Sequence, residues 1–385
     1  MMGEKIKIDE NGLMVPDNPR ISFIQGDGIG ADIWPATKKV IDKAVEKAYT
    51  GQKKIYWEEL LAGEKAFKET GEWLPDKTLE KIKENIVAIK GPLTTPVGAG
   101  YRSLNVAIRQ ELELYACIRP VKWLPGVPSP VKKPENVDMV VFRENMEDIY
   151  MGLEWPAGSR EARKIIDLVK ELNKEAELDY YTGIGIKPIS KYRTEKITEK
   201  AVAYAIKNGK KNITIVHKGN IMKYTEGAFK KWAYKYIEDN YKDKIMVNDR
   251  IADNMLQQIL INSEEYDILL TSNLNGDYLS DALAAQVGGL GIAPGSNIGD
   301  SIAVFEATHG SAPDLEKNRA NPVSLILSGK MMLEYMGWYK VATLIQKAIE
   351  KTIEQKIFTD DIARNMKGVE GKGTAEYADW IIKNL

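Results

Sequence analysis

The chain has 385 residues, enough for two or three domains and a large core. Its 54 Lys and Arg against 55 Asp and Glu argue against a nucleic-acid or anionic-membrane partner. A single cysteine, Cys117, excludes an internal disulfide framework, and only two histidines, His217 and His309, exclude a multi-histidine zinc site. The N-terminus has no apolar signal-peptide core and no stretch of the chain reads as a membrane span, so the expected location is cytoplasmic.

In chain order, ISFIQGDGIG (Ile21 to Gly30) is a buried strand running into a glycine turn and a helix. Gly26, Gly28 and Ala31 loosely match a G-x-G-x-x-A fingerprint, but no convincing acidic residue ends a second strand about 20 residues on. The dinucleotide is therefore not placed there. IVAIKGP (Ile86 to Pro92) is a buried strand, and beyond it Thr94, Thr95, Ser103, Asn105, Arg109 and Arg119 concentrate hydroxyl, amide and guanidinium donors. Arg119 precedes Pro120 at the end of a strand-like run. Donors held on rigid ends suit carboxylate recognition, because guanidinium grips carboxylate in a two-point fork. Ordinary surface arginines are the alternative, and the adjacent Ser-Leu-Asn argues against it.

A Pro-rich connector, VPSPVKKPENVD, leads to MVVFRENMEDIY, a strand ending in a polar cluster with Arg143 and Tyr150. From Met151 to Lys191 the periodicity weakens around one helix, as in an excursion from the main fold. KYRTEKITEKAVAYAIKNG is an amphipathic helix, and NITIVHKGN is a strand ending in His217, Lys218 and Asn220. A lysine at a buried strand end suits acid/base work if desolvation depresses its pKa; a strand-capping charge is the alternative. KIMVNDRIADNMLQQIL spaces Asp249 and Asp253 at i, i+4.

The most informative stretch runs from Asn273 to Gly299. Asp277 and Asp281 lie four apart in the helix-forming run YLSDALAAQ, which places both carboxylates on one face. Their mutual repulsion points to a bound cation, and all-oxygen ligands favour Mg2+ or Mn2+. A solvated helix face is the alternative; the flanking asparagines and the loop QVGGLGIAPGSN speak for a ligand-contacting segment. Two amphipathic C-terminal helices follow, one near Pro322 and one near Ala375, on either side of a disordered-looking GVEGKG turn. Strands alternate with helices almost throughout, so the class is α/β with a largely parallel sheet.

GPLTTPVGAGYRSLNVAIRQELELYACIRPV, VFRENMEDIY, HKGNIMKYTEGAF, IADNMLQQIL, NLNGDYLSDALAAQVGGLGIAPGSNIG and FEATHGSAP, in this order, resemble the prokaryotic isocitrate dehydrogenases of the β-decarboxylating dehydrogenase family, from about Gly12 to Leu385. The resemblance implies an isocitrate/isopropylmalate dehydrogenase-like fold rather than a Rossmann fold. It has two α/β domains, residues 1–114 with 288–385 and residues 115–147 with 191–287, and a dimer clasp at 148–190. It implies that Ser103, Asn105, Arg109, Arg119 and Arg143 bind isocitrate, that Tyr150 and Lys218 are catalytic, and that Asp253, Asp277 and Asp281 bind Mg2+ or Mn2+. It further implies a homodimer in which Lys218 and Asp253 reach across the interface, and a serine, Ser103, that some members phosphorylate.

By the same resemblance the dinucleotide lies along Thr94, Asn105, Glu306, His309, Gly310 and Asn321. NADP-using members carry a Lys-Tyr pair, a valine, a tyrosine and an arginine around the adenosine ribose. This chain has Asp314, Leu315, Ala320 and Asp360 in the first four places and retains only Arg364. An aspartate accepts ribose hydroxyls and repels a 2′-phosphate by about 1 to 4 kcal/mol at about 4 Å. The expectation is NAD, with NADP possible through Lys317, Arg319 and Arg364. The alternatives are a sister enzyme acting on homoisocitrate, isopropylmalate or tartrate, and a non-catalytic regulatory subunit; an isopropyl group would want apolar residues at Ser103 and Asn105.

Overall fold

The computed structural model describes residues 3–10, 12–95 and 103–385, so the 96–102 part of the first resembling motif lies outside it. Its strands are β1 (Lys7–Asp9), β2 (Gly12–Met14), β3 (Arg20–Ile24), β4 (Tyr56–Glu59), β5 (Val87–Lys90), β6 (Ala116–Lys122), β7 (Asp138–Glu144), β8 (Glu154–Trp155), β9 (Ile184–Gly185), β10 (Asn212–His217), β11 (Met246–Ile251), β12 (Ile268–Thr271), β13 (Pro294–Ile298) and β14 (Ala303–Ala307). Ten of them form one continuous sheet in the order β11-β10-β12-β7-β6-β13-β14-β5-β3-β4.

Both flanks of this sheet are parallel, as the alternation of strands and helices predicts. The centre is not. β13 runs antiparallel to β14 and to β6, and β6 runs antiparallel to β7. Parallel neighbours need a long crossover, whereas β13 joins β14 through residues 299–302 and β6 joins β7 through the Pro-rich connector, and neither connection carries an α-helix. The antiparallel centre thus joins two helix-covered parallel halves. β6 also runs on through Pro120 to Lys122, where the sequence suggested an end at Arg119. β13 pairs with β6 only as far as Ile118, so the proline falls beyond that ladder.

The main core packs the helix Gly30–Tyr49 against the helices Val323–Tyr335, Tyr339–Glu354 and Thr374–Asn384. The first buries Ile33, Val40, Ile41, Ala44 and Val45 at the 3.6-residue spacing of one apolar face. Burying one such aliphatic side chain contributes roughly 1.5–3 kcal/mol. A second core lies under the helices Lys191–Lys207 and Glu226–Tyr241 on the other half of the sheet.

The C-terminal region departs from the two amphipathic helices expected. The segment after Pro322 is two helices, divided at Gly337 with φ +77°. The first is buried on all sides over Val323–Gly329, because it lies between the sheet and the helix Gly30–Tyr49. The GVEGKG turn is ordered: Lys372 N–H donates to Phe358 O at 2.8 Å, and a Cβ on Gly371 would stand 1.9 Å from Asp360 Oδ1. Asp249 and Asp253 share no helix face, since Asp249 lies in β11 and Asp253 in the first turn of the helix Ala252–Ile261. The 151–191 excursion holds the two-stranded β8/β9 ribbon and a helix, Arg160–Leu172, capped by Ser159. Among the described residues no helix is long and apolar enough to cross a membrane.

Candidate active site

A cleft of about 190 Å³ opens where the antiparallel centre of the sheet meets the helix Leu104–Glu111. β6 brings Arg119, β7 brings Arg143 and β14 brings Glu306, while the helix brings Asn105 and Arg109 and is preceded by Ser103. Tyr150, from the short 3-10 helix Asp148–Met151, and Asp277, from the helix Asn273–Val287, complete the wall. That helix lies close to β7 because Gly276 has no side chain: a Cβ there would stand 2.6 Å from Arg143 Cβ.

Charge in the cleft is balanced by specific pairs. Glu306 Oε1 accepts from Arg109 Nη2 at 2.7 Å and Asn297 Nδ2 at 2.6 Å, and Oε2 accepts from Lys90 Nζ at 2.7 Å. Burial pushes the Glu306 carboxyl up, but Lys90 and Arg109 outweigh it and hold the pKa well below the usual value. Arg143 donates through Nε to Asn273 at 2.9 Å and through Nη1 to Asp277 Oδ1 at 2.5 Å, and its guanidinium lies 4.8 Å from the Tyr150 ring centre. Burial, together with the like charges of Arg119 and Arg109, pulls the Arg143 pKa down. Tyr150 donates its hydroxyl to Asp277 Oδ2 at 2.6 Å; burial and this bond push its pKa up to about 12. Arg119 Nη1 meets Ser280 Oγ at 2.5 Å and Asp281 Oδ1 at 3.3 Å.

Several buried atoms of these cleft residues have no partner among the described residues: Arg143 Nη2, Arg109 Nε, Asn105 Oδ1 and His309 Nε2. Buried polar atoms without partners are costly. The guanidinium N–H groups of Arg143 and Arg109 call for acceptor oxygens, and Asn105 Oδ1 and the neutral His309 Nε2 call for a donor, so a ligand rich in acceptor oxygens that also carries a donor would satisfy the cleft. Three guanidinium groups crowded against their own repulsion point to the same anionic chemistry.

Asp277 and Asp281 share a helix face, but Arg143 and Arg119 already balance them. Their repulsion therefore does not by itself demand a metal. Burial pushes the Asp277 pKa up, but Arg143 and Tyr150 outweigh it and the net shift is down; burial dominates at Asp281, whose pKa is raised. The donor set, two hard carboxylates one turn apart, fits Mg2+ or Mn2+, yet among the described residues no three His, Cys, Asp or Glu side chains are grouped to hold a metal within one chain. Lys218 and Asp253 form an ion pair with each other and do not line the cleft. Lys218 lies just past the end of β10, and its ammonium is paired rather than stranded in an apolar pocket.

Beside this cleft lies a larger, open hollow of about 660 Å³, lined by His309, Leu315, Arg319, Asn321, Asp360 and Arg364 among others. His309 and Gly310 also reach the first cleft. Burial pulls the His309 pKa down, which favours the neutral ring. Asp314 is exposed and does not line the hollow. Of the acids that do line it, Glu316, Asp360 and Asp361, Asp360 accepts from Arg319 at 3.1 Å and Glu316 lies 3.9 Å from the same guanidinium. Thr94 lines neither cavity; its N–H donates to Asp27 Oδ2 at 2.8 Å and its hydroxyl meets that of Ser311 at 2.7 Å. The 26–30 glycine turn is occupied by protein: a Cβ on Gly28 would stand 2.1 Å from Ser311 O, which leaves no room for a phosphate.

Two contributors escaped sequence reasoning. Lys90, 2% exposed, is the buried cation under Glu306, and its one signal was a lysine closing the apolar strand VAIK. Asp27 fixes Thr94 and Glu64 through their backbone N–H groups, and nothing local marked it.

The sequence matches the family model described as isocitrate/isopropylmalate dehydrogenase over residues 20–381. It is 52% identical over 421 residues to the isocitrate dehydrogenase (NADP) of Staphylococcus epidermidis, covering 100% of both chains. It is likewise 52% identical over 404 residues to that of Archaeoglobus fulgidus, covering 100% of this chain and 97% of the relative. The fold superimposes on the crystal structure of isocitrate dehydrogenase from Methylococcus capsulatus with a TM-score of 0.83 at 37% identity, over 95% of this chain and 99% of that one. A full-length match at this identity and a shared fold built around one cleft place the protein in the isocitrate/isopropylmalate dehydrogenase family.

Proposed function

We propose that the protein is a homodimeric, metal-dependent isocitrate dehydrogenase that oxidises and decarboxylates isocitrate to 2-oxoglutarate and CO2, with NAD+ preferred as hydride acceptor. The observation that carries this reading is the convergence of Arg109, Arg119 and Arg143 on one cleft with guanidinium N–H groups of Arg109 and Arg143 left unpaired among the described residues. That array suits a tricarboxylate, and the isopropyl group of a sister substrate would leave Ser103 and Asn105 unpaired. The names of the relatives support the substrate.

In this reading the three arginines hold the carboxylates and fix the orientation of C2 and C3. When bound, a dinucleotide would supply a hydride acceptor and a divalent cation would supply Lewis-acid chemistry. Lys218 of the second subunit, relaying through an aspartate that takes up the proton, would assist removal of the hydroxyl proton as the C–H bond breaks. After the carboxylate on C3 departs as CO2, Tyr150, which keeps its proton up to a pKa of about 12, delivers a proton to C3. Asp277 and Asp281, with Asp253 of the second subunit, would hold the metal once Arg119 and Arg143 turn to the substrate.

The dimer is supported by the exposed Leu256, Leu260 and Ile261 on the helix Ala252–Ile261 and by Leu168 and Leu172 on the excursion, apolar side chains a partner would cover. The excursion at 148–190 would be the clasp. The domain division assigned from sequence falls between β6 and β13, and closure of the two halves would seal the cleft. NAD+ is supported by the Asp360–Arg319 pair, which places a carboxylate among the guanidinium groups of the adjoining hollow and engages one of them. NADP+ is the second reading, favoured by Arg364 in the same hollow and by the relatives' names.

The test is turnover of isocitrate with NAD+ and with NADP+ by the purified protein. Activity should vanish on chelation and return with Mg2+ or Mn2+. Turnover of isopropylmalate but not isocitrate would sink the substrate assignment.

A further inference from the structure

Behind the cleft lies a second charge network that the chemistry above does not use. Lys187, on the strand-like return of the excursion, extends its Nζ to Asp148 Oδ1 at 2.5 Å and to Glu226 Oε1 at 2.9 Å. Asp148 and Glu226 are fully buried. Every carboxylate oxygen has a donor. Asp148 Oδ1 also accepts the N–H of Ile149 at 2.7 Å, and Oδ2 accepts the N–H of Leu274 at 3.0 Å. Glu226 Oε1 also accepts the Ser272 hydroxyl at 2.7 Å, and Oε2 accepts the N–H of Lys218 at 3.0 Å and Asn275 Nδ2 at 2.8 Å.

Each of these bonds ends on a segment that carries a reacting group. Asp148 opens the 3-10 helix that bears Tyr150, and it holds a left-handed backbone, φ +70°, which only surrounding contacts can maintain in a non-glycine residue. Leu274 and Asn275 lie in the first turn of the helix that bears Asp277 and Asp281. The Lys218 N–H is fixed directly, and the next N–H, that of Gly219, donates to His217 Nδ1 at 2.9 Å. One ammonium between two buried carboxylates thus meets the tyrosine segment, the metal-acid helix and the lysine turn. A buried ion network is weak evidence for stability, because desolvation offsets the attraction. Its consequence here is geometric.

We infer that Lys187 is a positioning residue for the reaction, setting the Tyr150 segment and the Lys218 turn against the helix of Asp277 and Asp281. The inference rests on the roles given above to Tyr150 and Lys218. In the proposed dimer those two groups serve different sites, so one Lys187 conditions both.

The experiment compares wild type, Lys187→Met and Lys187→Arg in the full-length dimer, measuring kcat, KM for isocitrate and Tm. The expected result is a kcat at least about tenfold lower in Lys187→Met, with KM for isocitrate within about threefold of wild type, and recovery of most of the loss in Lys187→Arg, because misplacing catalytic groups costs rate more than ground-state binding. A wild-type kcat in Lys187→Met, whatever its Tm, would overturn the inference alone. So would a raised KM at unchanged kcat, or a loss that Lys187→Arg does not recover. A wild-type enzyme that does not turn over isocitrate would instead remove the underlying reading, and the inference with it. If Lys187→Met does not fold, Asp148→Asn/Lys187→Met/Glu226→Gln, which removes all three charges together, takes its place: a tenfold lower kcat supports the assignment, and wild-type kcat overturns it.

Discussion

Two buried charge networks meet on the helix Asn273–Val287, and they differ in one respect. Around Lys187 every carboxylate oxygen is matched by a donor. In the cleft, Arg143, Arg109, Asn105 and His309 each keep a buried polar atom with no partner among the described residues. Protein interiors rarely tolerate such orphans, so the closed network reads as a device for holding parts together and the open one as a site waiting for a ligand. The lesson is that burial and charge alone do not mark an active site; elsewhere among the described residues the orphaned atoms, such as Thr37 Oγ1 and Thr214 Oγ1, are scattered on neutral side chains, and only in the cleft do they gather and include guanidinium groups.

If the open cleft is the binding site, removing one of its guanidinium groups should have the largest effect. Arg143→Met should lower kcat/KM for isocitrate on the order of 10³-fold, measured by steady-state kinetics, since it removes a charged contact and frees Asp277. A loss below tenfold would mean that the cleft is not where the substrate binds.

Glu306 belongs to the closed part of the cleft, and its replacement should act on stability. Glu306→Gln leaves Lys90 and Arg109 without their counter-charge and should cost about 3–5 kcal/mol, read as a lower Tm. Because its folded pKa lies well below the usual 4.5, Glu306 contributes stability that is fully present above about pH 4.5. That contribution is lost as pH falls from there through the depressed folded value. Thermal melts from pH 7 down to 3 should show a steeper loss in wild type than in Glu306→Gln; parallel curves would refute this assignment.

Tyr150→Phe should lower kcat about 10²-fold with little change in KM, because the ring and its packing on Arg143 remain while the proton donor is lost. With a pKa of about 12, Tyr150 should add no alkaline limb to the kcat profile below about pH 10. The smallest effect belongs to the outer hollow. Asp360→Ser frees Arg319 and should raise the NADP+ to NAD+ ratio of kcat/KM by about tenfold. Asp314→Lys should move it less, because Asp314 does not line the hollow.

Much of the cleft was legible in the sequence because its parts announce themselves locally. Arg109 and Arg119 follow a run of hydroxyl and amide side chains and Arg143 closes an apolar run, although Arg119 proves to lie mid-strand, and Asp277 and Asp281 declare a shared face by spacing alone. The Lys187 network had no such signal: Asp148 and Lys187 are 39 residues apart, and each reads as an ordinary surface charge. Asp360 was noticed only as a departure from a pattern, and Asp314 drew the attention that the folded hollow assigns to Asp360.

By itself the sequence determined the alternation of strands and helices, the family, and the kinds of side chain offered for chemistry. Those follow from period, propensity and turn residues, which act over a few neighbouring positions. Only the tertiary structure decided which charge meets which. Asp277 is balanced by Arg143 from β7, Glu306 by Lys90 from β5, and Glu226 by Lys187 from the excursion. A buried charge needs a partner within a few ångströms, and which residue comes that close is set by how the sheet is ordered, information that no local stretch of the chain contains.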